Sequence, residues 1–328
     1  MLMIFSLIVA VVTGLYVFVD GLFLSRQRLE ASKFVEACEI VFILSVLLLM
    51  VEWYNFEFAL TMAVVLSGII FLFDKLFLAK RRERRSAKRV EALGDTITES
   101  QKTYLTQLPL MVDYARSFFG VLLLVLVIRS CLFSPFRIPS GSLEPSLLIG
   151  DYIIVNKFAY GIRVPVLNKT IIPVSEPKRG DIVVVHWPPK PRVDFIKRMI
   201  GLPGDTVSYV DRVLTINGKE IHQDLIKHFN YIQVNGETIP ASQKEENLLG
   251  VKHGIYIIPG RSSADYHDIV VPEGMYFIMG DNRDDSEDGR YWGFVSEDQL
   301  VGKAEYIVLN WNSAESTFRW HRFFKKVH

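Results

Sequence analysis

The chain has 328 residues, 50% of them apolar, with a net charge of +1 and two cysteines. This length accommodates a membrane region and one or two folded domains, and the balanced charge gives no ground for a nucleic-acid partner. Both cysteines, Cys38 and Cys131, fall in apolar stretches, so no disulfide, thiol chemistry or cysteine metal site is expected in the polar remainder.

Apolar residues concentrate before residue 135, in four spans at 3–24, 37–51, 58–78 and 115–133. About 20 apolar residues cover a bilayer core. The second span is the shortest and carries Glu39. The start lacks the basic residues and small-residue cleavage site of a signal peptide, so the first stretch is expected to stay as a span. Residues 1–134 therefore read as a membrane region of about four transmembrane helices.

Basic residues orient this region. Lys80, Arg81, Arg82, Arg84, Arg85, Lys88 and Arg89 follow the third span, and Arg26, Arg28 and Lys33 follow the first. The loop Glu52–Glu57 has no lysine or arginine. The positive-inside rule then places residues 25–36 and the polar linker 79–114 in the cytoplasm, and the N-terminus and residues 135–328 on the outer, periplasmic face. There is also an internal echo: Gly14-Leu-Tyr-Val-Phe-Val-Asp20-Gly-Leu-Phe-Leu24 matches Gly68-Ile-Ile-Phe-Leu-Phe-Asp74-Lys-Leu-Phe-Leu78, and basic residues follow both. A duplicated segment accounts for it.

Beyond residue 150 the pattern turns to short β-rich runs at 151–157, 181–187, 194–200, 205–216, 276–279 and 305–311, punctuated by Gly and Pro. Residues 135–328 are expected to form a mainly antiparallel β domain. The stretch 222–268 is polar with little core signal and reads as an irregular insertion. The tail, with Trp311, Trp320, Phe323, Phe324, Arg322, Lys325 and Lys326, has the aromatic and basic character of a bilayer contact.

Three elements carry possible chemistry. Pro139-Ser140-Gly-Ser142 is a small hydroxyl-bearing loop suited to a serine nucleophile. The eight residues from Ser134 to Ser142 span at most about 30 Å, which keeps such a serine near the last span. Seven histidines are present, none in a triad-like setting; the best candidate, Asp265-Tyr-His267-Asp268, lies in the polar insertion. A lysine base is the other solution. It must be neutral, and burial favours the neutral form. Lys197, in the apolar run Phe195-Ile-Lys197-Arg-Met-Ile200, meets that condition. The third element is Gly280-Asp-Asn-Arg-Asp-Asp-Ser286 through Phe294, whose spacing does not fit an EF-hand calcium loop and reads as a rigid loop of internal ion pairs.

Together these elements resemble bacterial signal peptidase I, over about residues 60–311. The motifs are Phe136-Arg-Ile-Pro-Ser-Gly-Ser142-Leu-Glu-Pro-Ser-Leu147, Gly150-Asp-Tyr152, Lys178-Arg-Gly-Asp-Ile-Val183, Asp194-Phe-Ile-Lys197-Arg-Met-Ile-Gly-Leu-Pro-Gly-Asp205, and the 280–294 loop. The resemblance implies a membrane-bound serine endopeptidase that cleaves signal peptides from exported preproteins after Ala-X-Ala-type sequences, beside the secretion translocon and the phospholipid bilayer, with no cofactor and no metal. It implies Ser142 as nucleophile, Lys197 as general base, and Ser140 with the Ser142 N–H as the oxyanion hole. Ser286 would orient the lysine. Arg198, Asp281, Asp288 and Arg290 would hold the site. Phe136, Ile138, Leu143, Val184 and Ile196 would line small substrate pockets. Leu143 stands where the family usually has Met, the outer domain lacks a cysteine pair, and the first 55 residues add a span pair to the two-span pattern. A soluble-type, self-cleaving Ser/Lys repressor protease and a non-catalytic membrane assembly factor are the rival readings.

Overall fold

Helix gives way to strand at Phe133. The computed structural model describes residues 2–20, 32–54, 56–164, 169–191, 193–232, 236–261, 263–312 and 315–327. The chain separates into two units, Met1–Ile128 and Arg129–His328.

The first unit contains α1 (Leu2–Val19), α2 (Lys33–Trp53), α3 (Phe56–Phe73), α4 (Ala79–Leu93), α5 (Glu99–Thr106) and α6 (Leu110–Val127). Three of its helical runs, Lys33–Trp53, Phe56–Leu93 and Leu110–Ser130, are long and apolar enough to cross a membrane, whereas the first apolar helix, Ile4–Val19, is shorter. Residues 21–24 of the expected first span lie outside the described residues, as do Arg26 and Arg28. The expected linker is largely helical. Good helix formers fill α4, and a capping box between Thr98 and Gln101 starts α5.

The echo has a packing counterpart. Helix α1 packs on α2, and α3 on α6. A Cβ on Gly14 would come within 2.7 Å of the Phe42 ring, and one on Gly68 within 2.9 Å of the Phe119 ring. Each glycine thus lets an aromatic ring of the partner helix approach its backbone. Asp20 and Asp74 are both buried, and Asp74 accepts from both terminal nitrogens of Arg82.

The second unit comprises, in chain order, β1 (Phe133–Arg137), β2 (Asp151–Asn156), β3 (Gly161–Arg163), β4 (Thr170–Pro173), β5 (Ile182–His186), β6 (Asp194–Gly201), β7 (Thr206–Val210), β8 (Val213–Ile216), β9 (Lys219–Glu220), β10 (Gln223–Ile232), β11 (Thr238–Leu248), β12 (Val251–Ile257), β13 (Tyr266–Val270), β14 (Met275–Met279), the short helix α7 (Gly289–Trp292), β15 (Val295–Ser296), β16 (Leu300–Asn312), β17 (Thr317–Phe318) and β18 (Lys325–Lys326). The main sheet runs β1-β2-β16-β5-β6-β14-β15, with β17 and β18 also on β16. Its neighbours are antiparallel.

Strand β5 is a run of Ile and Val, a composition that suits a strand buried on both faces. Ile182 and Val184 enter one cluster with Ile138, Leu143, Ile153 and Ile307. Val183 and Val185 enter another with Met199, Ile278 and Leu300. The expected run 205–216 is a hairpin, β7–β8, turning through Asp211 and Arg212 at φ of 48° and 66°. Asn217-Gly218 makes a second positive-φ turn into β9.

The stretch 222–268 is not irregular. It forms the three-stranded sheet β10-β11-β12, and its end, β13, joins β7-β8-β9. Tyr231, Ala241 and Ile258 form a small buried cluster, Leu248, Ile255 and Ile257 are buried as well, and most of β10 is exposed. A sheet with one open face needs few apolar residues, so its composition passes for loop. The tail also differs from expectation. Arg322 is buried and reaches inward, donating from Nε (2.9 Å) and Nη2 (2.5 Å) to Asp151. Trp320 and Phe324 are the most exposed aromatic residues among those described in the tail, at 70% and 77%, with Phe318 exposed at 42%.

Candidate active site

Three segments of the second unit meet around Ser142. The first is the loop after β1, the second is β6, and the third is the loop from Gly280 to α7.

Strand β6 supplies Lys197, whose register partner on β5 is Val183. From Lys197 onward β6 is buried on both faces. Lys197 is 4% exposed, and its Nζ lies 2.7 Å from Ser142 Oγ, a hydrogen bond. Burial pushes the amine down from 10.5 to about 8; Asp288 pulls the other way and Arg290 adds to the lowering. At neutral pH a useful fraction is therefore unprotonated.

The next residue, Arg198, is fully buried. Its Nε (2.7 Å) and Nη2 (2.8 Å) donate to the two oxygens of Asp281, and its Nη1 donates to the Gly180 carbonyl at 2.8 Å. Ser146, from the serine loop, donates to Asp281 at 2.5 Å. Burial alone would raise the Asp281 carboxyl; Arg198 outweighs it and holds the group below the usual carboxylate range. This bidentate pair links β6, the serine loop and the third loop.

The third loop is closed by a second pair. Asp288 accepts from Arg290 Nε and Nη2, both at 2.8 Å, and from the Gly280 N–H at 2.8 Å. Burial raises the Asp288 carboxyl, and Arg290 more than offsets this. Gly280 tolerates no side chain. A Cβ there would lie 2.5 Å from the Ser142 carbonyl oxygen and collide with Ser286 Oγ. Ser286 is buried at this point, and its hydroxyl forms no hydrogen bond among the described residues. The expected Ser286–Lys197 bond is thus not formed here, where the amine engages Ser142.

Ser140 is exposed. Ile138, Leu143 and Val184 lie within one buried cluster, with Phe136 and Ile196 half-buried against it. The five expected pocket residues are therefore together, but only Phe136 and Ile196 offer appreciable surface. His267, the rejected triad candidate, is exposed on β13.

Sequence reasoning missed a buried cluster on β11 and β12. Arg283 Nη1 donates to Glu246 Oε1 at 2.8 Å. His253 Nε2 lies 3.3 Å from Glu246 Oε2 and 3.7 Å from Asp281 Oδ1. It also missed Asn282, which is fully buried against the serine loop. The signal available was position alone, between Asp281 and Arg283 in the ion-pair loop.

A hydroxyl in hydrogen-bond contact with a buried amine of lowered pKa, and an exposed second hydroxyl nearby in sequence, fit a serine-hydrolase arrangement. Comparison with known proteins agrees. A family described as "Signal peptidase, peptidase S26" matches residues 111–311. The chain is similar to a signal peptidase I of Pseudomonas fluorescens, 41% identical over 273 residues, covering 78% of this chain and 93% of that protein. It is 33% identical to one of Haemophilus influenzae over 323 residues, covering 83% and 92%. A crystal structure of a signal peptidase I from Enterococcus faecalis V583 matches at 32% identity and a TM-score of 0.25, covering 40% of this chain and 97% of that one. The chain belongs to the S26 signal peptidase family. It is a serine peptidase, a hydrolase.

Proposed function

We propose that this chain is a membrane-bound endopeptidase that removes N-terminal signal peptides from exported preproteins, with Ser142 as nucleophile and Lys197 as general base. The observation that carries the reading is the 2.7 Å contact between Ser142 Oγ and a buried amine of pKa about 8.

The neutral Lys197 takes the Ser142 proton as Oγ attacks the scissile carbonyl. The oxyanion receives hydrogen bonds from the Ser142 N–H and the Ser140 hydroxyl; one such donor is worth about 3 kcal/mol of barrier. Lysine then protonates the departing amine, and later takes a proton from the water that releases the acyl group. Ser286, buried beside the Ser142 carbonyl, is close at hand to receive the lysine amine when it turns from Ser142. The preference for small residues, as in Ala-X-Ala cleavage sites, falls to Phe136 and Ile196, which are half-buried against the Ile138, Leu143 and Val184 cluster.

The membrane region carries four spans in this reading, including the shorter α1, with the basic segment α4 in the cytoplasm and the β unit on the outer face, where signal peptides emerge beside the translocon. The bilayer contact of the tail falls to Trp320 and Phe324, because Arg322 is committed to Asp151. The test is cleavage of a preprotein in trans by the purified full chain and by Ser142→Ala. Cleavage by the wild type and none by the variant is expected. Full processing by Ser142→Ala, or cleavage only in cis, refutes the reading.

A further inference from the structure

The peptide unit joining Gly141 to Ser142 carries both the Gly141 carbonyl and the Ser142 N–H. In a trans peptide these point in opposite directions. Whatever holds the carbonyl therefore aims the N–H, and a glycine places few conformational limits of its own on this unit.

The Gly141 carbonyl accepts from the Glu144 N–H at 3.0 Å and from Asn282 Nδ2 at 3.2 Å. The Asn282 backbone N–H donates to the Ser142 carbonyl at 3.1 Å. Asn282 thus grips the carbonyls on either side of the Ser142 N–H. Asn282 is itself braced by the sheet β10-β11-β12. Tyr256 on β12 donates from its N–H to the Asp281 carbonyl at 2.9 Å and accepts from the Arg283 N–H at 3.0 Å, which fixes both flanks of Asn282. Tyr231 on β10 accepts the second Asn282 Nδ2 proton at 3.1 Å and donates to Asp285 at 3.3 Å. Gly254 on β12 seats Pro145 of the serine loop, where a Cβ would come within 2.7 Å of the Pro145 ring.

We propose that Asn282 is a positioning residue for the oxyanion hole, and that the β10-β11-β12 sheet holds it in place through Tyr231 and Tyr256. This rests on the reading of Ser142 as nucleophile. Asn282 touches no reacting atom. It keeps the Ser142 N–H turned toward the position of the oxyanion, so its effect falls on the transition state rather than on substrate binding.

The test is steady-state cleavage of a preprotein by the full chain in detergent. Asn282→Asp sets a carboxylate against the Gly141 carbonyl. The expected result is a fall in kcat of about tenfold or more at pH 8, the scale of one lost buried hydrogen bond plus an unpaired acceptor, with KM changed less than about twofold. The kcat ratio of variant to wild type should recover as pH falls, because a protonated carboxyl donates as the amide does. A purely structural role would not produce that recovery. Tyr231→Phe removes one hydroxyl and keeps the ring against Phe229 and Tyr256; about a threefold fall in kcat at unchanged KM is expected, and this variant serves if Asn282→Asp does not fold. A kcat within twofold of wild type for Asn282→Asp overturns the proposal, as does a pH-independent loss matched by a rise in KM. If Asn282→Asp misfolds, an unchanged kcat for Tyr231→Phe overturns it. Ser142→Ala is run alongside: full activity there refutes the parent reading, while loss there with intact Asn282→Asp refutes only this inference.

Discussion

Replacing Lys197 with Met should abolish cleavage and, at neutral pH, make the protein more stable. The amine is buried and titrates at about 8, against an ordinary 10.5. At about 1.4 kcal/mol per pH unit, burying it costs folding roughly 3 kcal/mol below pH 8. The sign follows from proton binding. Between 8 and 10.5 the unfolded chain holds the proton more tightly than the folded one, so stability rises with pH through that window. The cost is complete below 8 and gone above 10.5. Methionine has similar volume and no charge, and gives up the bond to Ser142, about 1 kcal/mol, together with the approach of the amine to the Phe195 ring. The net gain at pH 7 is about 2 kcal/mol, or some 4–8 °C in Tm for a domain of this size. Thermal unfolding of the full chain in detergent, followed by tryptophan fluorescence, reads it: Trp187, Trp292, Trp311 and Trp320 all lie in the second unit. The variant's advantage should shrink as pH rises from 7 toward 10. A difference in Tm that is constant with pH, or a variant less stable at pH 7, would refute the account of Lys197 as a destabilised buried base.

Other outcomes follow from the same geometry. For the wild type, kcat/KM should rise about tenfold per pH unit below 8 and level off above, as the lysine loses its proton; a profile flat from pH 6 to 9 contradicts this. Arg290→Gln frees the Asp288 carboxylate near Lys197, so the midpoint of that rise should move to higher pH, accompanied by a stability loss of about 3–5 kcal/mol for breaking a buried pair. Gly280→Ala should lower kcat by about 100-fold, because its methyl would displace the Ser142 carbonyl or Ser286. Trp320→Ser with Phe324→Ser should weaken liposome binding of the full chain's outer surface, as seen by tryptophan quenching with brominated lipid; deleting residues 318–328 is the poorer test, since it also removes Arg322 from Asp151.

Some of this was legible in sequence because composition and structure share a cause. Strand β5 and the half of β6 from Lys197 onward are buried on both faces, and continuous runs of Ile, Val and Met announce that. Lys197 is conspicuous for the same reason, as a charge within an apolar run. The β10-β11-β12 sheet is hard to read because it meets the Gly280–Ser286 loop through hydrogen bonds and two tyrosines rather than through a broad apolar face. Arg322 was misread because a basic residue among aromatic ones looks alike whether it turns outward or inward, and only Asp151, distant in sequence, decides. Asn282 works through backbone carbonyls, which carry no sequence signal.

On the proposed reading of Lys197 as base, the pairing of the buried charges around it keeps them from raising its pKa further. Two carboxylates, Asp281 and Asp288, raise its pKa, and each unpaired one would hold the amine protonated and useless as a base. Each instead is saturated: Asp281 by Arg198 and Ser146, Asp288 by Arg290 and the Gly280 N–H. Burial is then left as the largest influence on the amine. Replacing both pairs by apolar residues would serve neutrality equally well, and could even add stability. What such a core would lose is placement, because Asp281 joins β6 to the serine loop and Asp288 fixes Gly280 against the Ser142 carbonyl. The ion pairs thus do two things with one set of contacts. They pair the acids near the amine, and they join β6, the serine loop and the third loop.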